Sequence, residues 1–276
     1  MDNLYFVTAG TPRRTEGKGY KEAFEAIKKL SLDGMELEFV HGVRISDSSK
    51  QIVKETKEKD NLIFTAHGPY YINLNAKEPE KIEASVNRII ETAVIGNELG
   101  AYSITFHAAF YMGKDKKTVF ETVKNGFTLI TQELKKQNNK IWVRPETTGK
   151  SSQWGDIDEV IEISKHFETV LPCVDFAHLH ARSNGQFNTY NEFCNVFEKI
   201  GKNLGDKALN NFHAHIAGIN YSEKGEKNHL NLEESDMNYK DLMKAFKSFN
   251  VKGVVVCESP NIEDDTKLLK EYYLSI

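Results

Sequence analysis

An α/β chain of eight successive strand–helix units is the fold this sequence predicts, on three observations. Short β-rich apolar runs alternate with longer amphipathic stretches from one end to the other, the rhythm of parallel strands joined by crossover helices. Eight such units fit into about 250 residues, the size of a (β/α)8 TIM barrel. No Pro/Gly/Ser-rich linker, low-complexity tract or repeat breaks the rhythm, so residues 1–276 read as one domain.

The candidate strands, in order, are LYFVTA (4–9), GMELEFV (34–40), LIFTAH (62–67), SITFHA (103–108), IWVRPE (141–146), VLPCVD (170–175), NFHAHIA (211–217) and GVVVCE (253–258). A helical pattern follows each. In YKEAFEAIKKL the apolar residues are Phe24, Ile27 and Leu30. In SVNRIIETAVIGNELG they are Val86, Ile89, Ile90, Val94 and Leu99, before Gly100 stops the helix. KTVFETVKNGFTLITQELKK and DIDEVIEISKHF have the same 3.6-residue character, the second opening on Asp156 as an N-cap. NEFCNVFEKIG, KDLMKAFKSF and DDTKLLKEYYL complete the set. An open doubly wound sheet lacks support: no GxGxxG follows the first strand and no GxxxxGK[ST] occurs.

With 39% hydrophobic and 28% charged residues and a net charge of −4, the chain does not bind nucleic acid by bulk charge. A phosphate-binding face must be local, or supplied by metal ions. Cys173, Cys194 and Cys257 are odd in number, far apart and free of CxxC spacing, as expected of reduced thiols in a cytoplasmic protein. The opening MDNLYFVTAGTPRR has neither a basic n-region nor a long apolar core, and nowhere do about 18 apolar residues run together. Neither secretion nor a membrane span is expected.

In a barrel of this kind the active site gathers at the C-terminal ends of the strands. Those ends carry His67, His107, Glu146, Asp175, His215 and Glu258. A single histidine at a strand end is ordinarily a hydrogen-bonded structural residue. Six ligand-capable groups at equivalent positions of successive strands would crowd one rim unpaired, and a metal cluster satisfies them together. Asp175 and His178 are spaced D-x-x-H across a strand end, where a turn can aim both inward. His213 and His215 share a strand face, and His213 either reaches the mouth or fills a layer beneath it. Mixed imidazole and carboxylate suits zinc, with manganese or iron as alternatives, and the absence of rim thiolates argues against a structural zinc. More ligands than one ion can use implies two or three ions.

TAHGPYYINL (65–74), FHAAF (106–110), RPETTGK (144–150), VDFAHLHAR (174–182), HIAGI (215–219) and CESP (257–260) resemble, in order and spacing, the signature segments of the endonuclease IV family, its archaeal-type branch in particular. The resemblance runs over about residues 34–260. It implies a zinc-dependent enzyme of base excision repair that cuts double-stranded DNA 5′ to abasic sites, leaving a 3′-hydroxyl and a 5′-deoxyribose phosphate. It implies that His67, His107 and Glu146 hold a first zinc, and that Glu146 bridges to a second completed by Asp175, His215 and Glu258. His178 and His229 would hold a third. Hydroxide between the first two ions would attack the phosphate, and the third would stabilise the departing oxygen. Tyr70 resembles the family tyrosine beside the abasic nucleotide. Arg44, Lys150 and Arg182 lie in loops that would face DNA, and His180 is a supporting or substrate-contacting candidate. A monomer is expected.

The sequence departs from the family in three places. GEKNHL (225–230) puts Lys227 where the family has the aspartate of D-x-H, so that Glu226 would have to reach round to complete the third site. The first strand ends in Thr8-Ala9-Gly10 instead of a frequent histidine, and His107 is followed by Ala-Ala instead of Pro-Gly. Two alternatives stand beside this reading. One is a xylose-isomerase-type sugar isomerase or epimerase with a dinuclear metal site and Glu38 as base. The other is a non-catalytic binder of DNA lesions that has lost the third metal.

Overall fold

The computed structural model describes residues 1–276. Eight parallel strands form one sheet: β1 (Leu4–Ala9), β2 (Gly34–Glu38), β3 (Ile63–His67), β4 (Ser103–Phe106), β5 (Trp142–Pro145), β6 (Val174–Asp175), β7 (Phe212–Ile216) and β8 (Gly253–Cys257). Hydrogen-bonded neighbours run β5-β4-β3-β2-β1-β8-β7-β6. The last strand thus lies beside the first, the order a TIM barrel requires. Seven helices fall where the periodicity puts them, while Asp47–Asp60 after β2 and the short Phe176–Arg182 and Asp206–Leu209 are additional; no helix is long and apolar enough to cross a membrane. The chain divides into two compact units, residues 1–36 with 173–276, and residues 37–172.

In the first unit β8 is flanked by β1, in register from Leu4↔Gly253 to Thr8↔Cys257, and by β7, from Gly253↔Phe212 to Cys257↔Ile216. Gly253 is required here: its φ is +143°, and a Cβ would overlap the Phe212 carbonyl oxygen. The helix Tyr190–Leu204 opens on a capping box between Thr189 and Glu192 and buries Phe193, Val196, Phe197 and Ile200, an i, i+3, i+4, i+7 stripe. Phe197 meets Phe176, Phe212 and Phe246 at ring centroids of 5.7, 5.4 and 4.9 Å.

In the second unit β3, β4 and β5 pair in parallel, with Ala66↔Ile104 and Phe106↔Pro145 near their ends. The helix Lys116–Lys136 starts at Asp115, which accepts from the Thr118 amide, and buries Val119, Val123, Phe127, Ile130 and Leu134. Asp156 caps the helix Ile157–Ser164 with a full capping box to Glu159, and Gly100 ends its helix at φ +71°.

Three local expectations are corrected. The sixth strand is expected over 170–175, but only Val174 and Asp175 pair with β7; Pro172 has no amide hydrogen to donate to a ladder. The D-x-x-H segment is not a turn: a helix, Phe176–Arg182, begins at once, with Asp175 as its N-cap. After β7 the chain does not pass straight to a helix. It forms an antiparallel hairpin, Gly218–Ser222 with Gly225–Leu230, that carries the GEKNHL segment.

Candidate metal centre

In residues 37–172, three adjacent strands deliver three ligand groups. His67 ends β3, while His107 and Glu146 directly follow β4 and β5. The buried Glu146 carboxylate lies between the two imidazoles, with Oε2 3.3 Å from His67 Nε2 and Oε1 3.3 Å from His107 Nε2. His67 Nδ1 is 2.7 Å from the Gly68 carbonyl oxygen. A carbonyl only accepts, so Nδ1 carries the hydrogen and neutral His67 turns a lone pair toward the carboxylate. Two lone pairs at that distance repel unless a cation or proton lies between them. The donor set therefore fits a divalent ion.

In residues 173–276 a second group is built differently. Asp175 Oδ1 accepts from the His178 amide at 2.7 Å, and its Oδ2 is 3.1 Å from His178 Nδ1. His178 Nε2 is 3.5 Å from Glu226 Oε2, and its ring lies 5.8 Å from that of His229. His229 Nδ1 faces the Glu258 carbonyl at 3.2 Å, while its Nε2 is buried with no hydrogen-bond partner. Asp175, His178 and His229 offer ligand atoms within 4.8 Å of one another. A buried orphan lone pair beside a carboxylate and a second imidazole again fits a metal.

The hairpin explains how Glu226 reaches this group. Its register runs Ile219↔His229 and Asn220↔Asn228, then jumps to Tyr221↔Glu226, leaving Lys227 as the extra residue of a β-bulge. In a regular strand Lys227 and His229 would share a face. The inserted residue reverses the alternation, so Glu226 joins His229 while Lys227 is exposed. E-x-x-H with a bulge thus brings a carboxylate to the His178 imidazole on the side of His229.

A third cluster in the same unit lies beneath these residues, all of it fully buried except Glu258. Glu36, in the middle of β2, faces His213 Nε2 at 3.2 Å and His215 Nε2 at 3.0 Å, one carboxylate oxygen to each. His215 Nδ1 is 3.3 Å from Glu258 Oε1. Burial opposes charge on Glu36, but the charge of His215 and the hydrogen bonds from both imidazoles outweigh it and hold the carboxyl well below the usual range. Sequence reasoning missed Glu36. The available signal was a carboxylate between Met35 and Leu37, two residues before the strand end. His213 fills the interior layer instead of reaching the mouth.

His180 is fully buried, and both its nitrogens are engaged, by the Gln186 carbonyl at 2.8 Å and Asp236 Oδ1 at 3.1 Å. These two partners hold the ring between the Gln186 carbonyl and Asp236. Asp236 Oδ2 also accepts from the Tyr221 hydroxyl at 2.7 Å, which ties the hairpin to the helix bearing His178. That bond pushes the Tyr221 phenol up to about 12.

The family model described as the xylose isomerase-like TIM barrel matches residues 24–273. The chain belongs to that family. A curated relative, the uncharacterized protein MJ0133 of Methanocaldococcus jannaschii, is 43% identical over 271 residues, 98% of this chain and 97% of the relative. Among solved structures, a D-tagatose 3-epimerase-like protein superposes with a TM-score of 0.74 at 17% identity, covering 94% of each chain. Endonuclease IV from Thermus thermophilus does so with a TM-score of 0.72 at 15% identity, covering 100% of each. At such identities the likeness is one of fold.

On the loops of this xylose isomerase-like barrel, Tyr70 is 61% exposed while its ring stays 5.9 Å from that of His67. Tyr71 and Phe110 are exposed as well, and Arg44 projects into solvent from the loop after β2. Lys150 and Arg182 are half-buried.

Proposed function

We propose that the chain is a metal-dependent endonuclease that cuts double-stranded DNA on the 5′ side of abasic sites. The observation that carries this reading is the surplus of ligands: His67, His107 and Glu146 in one unit, and Asp175, His178, His229 and Glu226 in the other, beside the His215–Glu258 pair. In a TIM barrel active sites gather at the strand ends, and Glu146 is the carboxylate we assign to hold an ion together with His67 and His107. Zinc suits the donors best, and manganese is the alternative. Such ions would supply Lewis acidity, activating water near neutral pH and neutralising charge on the phosphate oxygens.

The chain's own residues would do the rest. Tyr70 presents an aromatic face beside His67, where a nucleotide lacking its base leaves room. Such a nucleotide is inexpensive to turn out of the helix, which favours it over an intact one. Arg44, Lys150 and Arg182 would hold backbone phosphates, giving affinity without sequence preference.

A sugar isomerase or epimerase is the second reading. Glu38, half-buried at the end of β2, supplies the carboxylate base it needs. The His-rich ligand set exceeds what one such reaction uses.

The test incubates zinc-loaded protein with a duplex carrying one abasic site, with a chelator control. Chelator-sensitive cutting 5′ to the lesion, leaving a 3′-hydroxyl, is expected. A folded, metal-filled protein that does not cut would overturn the nuclease reading and direct the search to sugars.

A further inference from the structure

The group of Asp175, His178 and His229 draws on two separate elements. His178 rides the helix Phe176–Arg182, while His229 and Glu226 come from the hairpin Gly218–Ser222 with Gly225–Leu230. Ligands must meet a metal to within about 0.2 Å of its preferred distances, so the hairpin has to be fixed against the helix. Packing supplies part of the answer. Ile219 and Tyr221, two residues apart on one strand, share a face. Ile219 packs with Ala177 and Ala181, and Tyr221 lies against the same cluster. Those alanines are four residues apart, on one side of the helix, and their small side chains let the hairpin come close. In the hairpin register Ile219 stands opposite His229 and Tyr221 opposite Glu226. Cross-strand partners point the same way, so the face against the helix also carries both ligand groups. Apolar contact has no direction, however, and does not set where His229 stops.

The direction comes from Ser235 and Asp236, a few residues past the hairpin. Ser235 Oγ accepts from the Ile219 amide at 2.9 Å and donates to the Ile219 carbonyl at 3.2 Å, which fastens this segment to the residue opposite His229. Asp236, the next residue, reaches both elements. Its Oδ2 accepts from the Tyr221 hydroxyl at 2.7 Å, and its Oδ1 meets His180 Nε2 at 3.1 Å. His180 stands two residues after His178 on the same helix, fully buried, with its ring 4.9 Å from that of Tyr221. The Asp236 carbonyl accepts from Asn188 Nδ2 at 2.7 Å, which holds the backbone at this point. One carboxylate thus splints the hairpin to the helix.

We propose that Asp236 is a positioning residue for the ion at Asp175, His178 and His229, joining Tyr221 of the hairpin to His180 of the helix so that His229 and Glu226 face His178. This rests on the reading that those three residues hold an ion, and it adds residues outside the ligand set.

The test reads ion affinity and not activity. Competition between the zinc-loaded protein and a chromophoric chelator gives the affinity of each bound ion in wild type and in folded variants. Asp236→Ala should weaken one ion by about 10-fold, the lower end of what groups behind a metal ligand contribute, and spare the others. The Asp236 side chain is 57% exposed, so the fold should tolerate its loss. Asp236→Asn should restore affinity to within about twofold of wild type: its amide oxygen can accept from Tyr221, and its NH2 can donate to His180 Nε2 while Nδ1–H stays on the Gln186 carbonyl. Tyr221→Phe should weaken the same ion, and adding it to Asp236→Ala should cost nothing more, because both cut one link. A folded Asp236→Ala protein with wild-type affinities would overturn the proposal, as would equal weakening of every ion. An Asp236→Asn protein as weak as Asp236→Ala would overturn it too, by assigning the effect to charge instead of position. If Asp236→Ala does not fold, Tyr221→Phe decides, since it keeps the packed ring and removes only the hydroxyl; unchanged affinities there would sink the role of Asp236. His229→Gln separates this proposal from the reading beneath it. If His229→Gln binds as many ions as wild type, the group holds none and the underlying reading fails. If it loses one ion while Asp236→Ala keeps every affinity, only the positioning role fails.

Discussion

The two ligand groups are made by different means. In residues 37–172, strand register alone assembles the site: β3, β4 and β5 pair side by side, and His67, His107 and Glu146 stand at or just past their ends. In residues 173–276 only Asp175 of the group lies on a strand of the eight-stranded sheet. His178 rides the first turn of a helix, and Glu226 and His229 come from a bulged hairpin. The first group is a property of the barrel. The second depends on one inserted residue, and can change without disturbing the sheet.

The largest effect should come from the strand-built group. Glu146→Gln removes the carboxylate that both imidazoles face. Since residues behind a metal ligand already contribute 10–100-fold, cutting at an abasic site should fall by more than about 100-fold, with fewer bound ions counted by elemental analysis. Unchanged cutting would remove Glu146 from the mechanism. In the hairpin the contrast is between neighbours. Glu226→Gln should weaken one ion by about 10–100-fold, whereas exposed Lys227→Ala should change affinity by less than about twofold. The reverse result would mean that the bulge does not exist in solution.

The smallest effect concerns the tie between hairpin and helix. The Tyr221 phenol, raised by its bond to Asp236 to about 12, binds its proton more tightly folded than unfolded, where about 10 is usual. Its contribution is complete below pH ~10 and disappears as pH rises through the folded value. Tyr221→Phe should therefore remove part of the alkaline decline in stability, measured by denaturant midpoints, while a parallel decline in both proteins would assign it elsewhere.

What the sequence discloses divides along the same line. Strand ends could be read because alternation and length locate them, and His67, Glu146 and Asp175 stand where a barrel puts chemistry. Glu226 could be offered only as reaching round, since the bulge at Lys227 follows from strand pairing and has no local mark. His180 looks like its neighbour His178 in the sequence; what engages its Nε2 is Asp236, 56 residues further on. Glu36 escapes notice because a carboxylate among Met35, Leu37 and Phe39 reads as ordinary alternation until its two histidine partners from β7 are known.

One carboxylate has two occupations. Asp175 starts the helix Phe176–Arg182 with Oδ1 and keeps Oδ2 beside His178 Nδ1. Losing this side chain would fray the helix that presents the neighbouring imidazole as well as deleting a proposed ligand, so under that proposal drift at this codon is penalised twice. Asparagine could still cap but would bring no charge, and glutamate would bring charge but cap poorly. Lineages that abandon the metal should therefore keep Asp or Asn here long after His229 and Glu226 have been replaced.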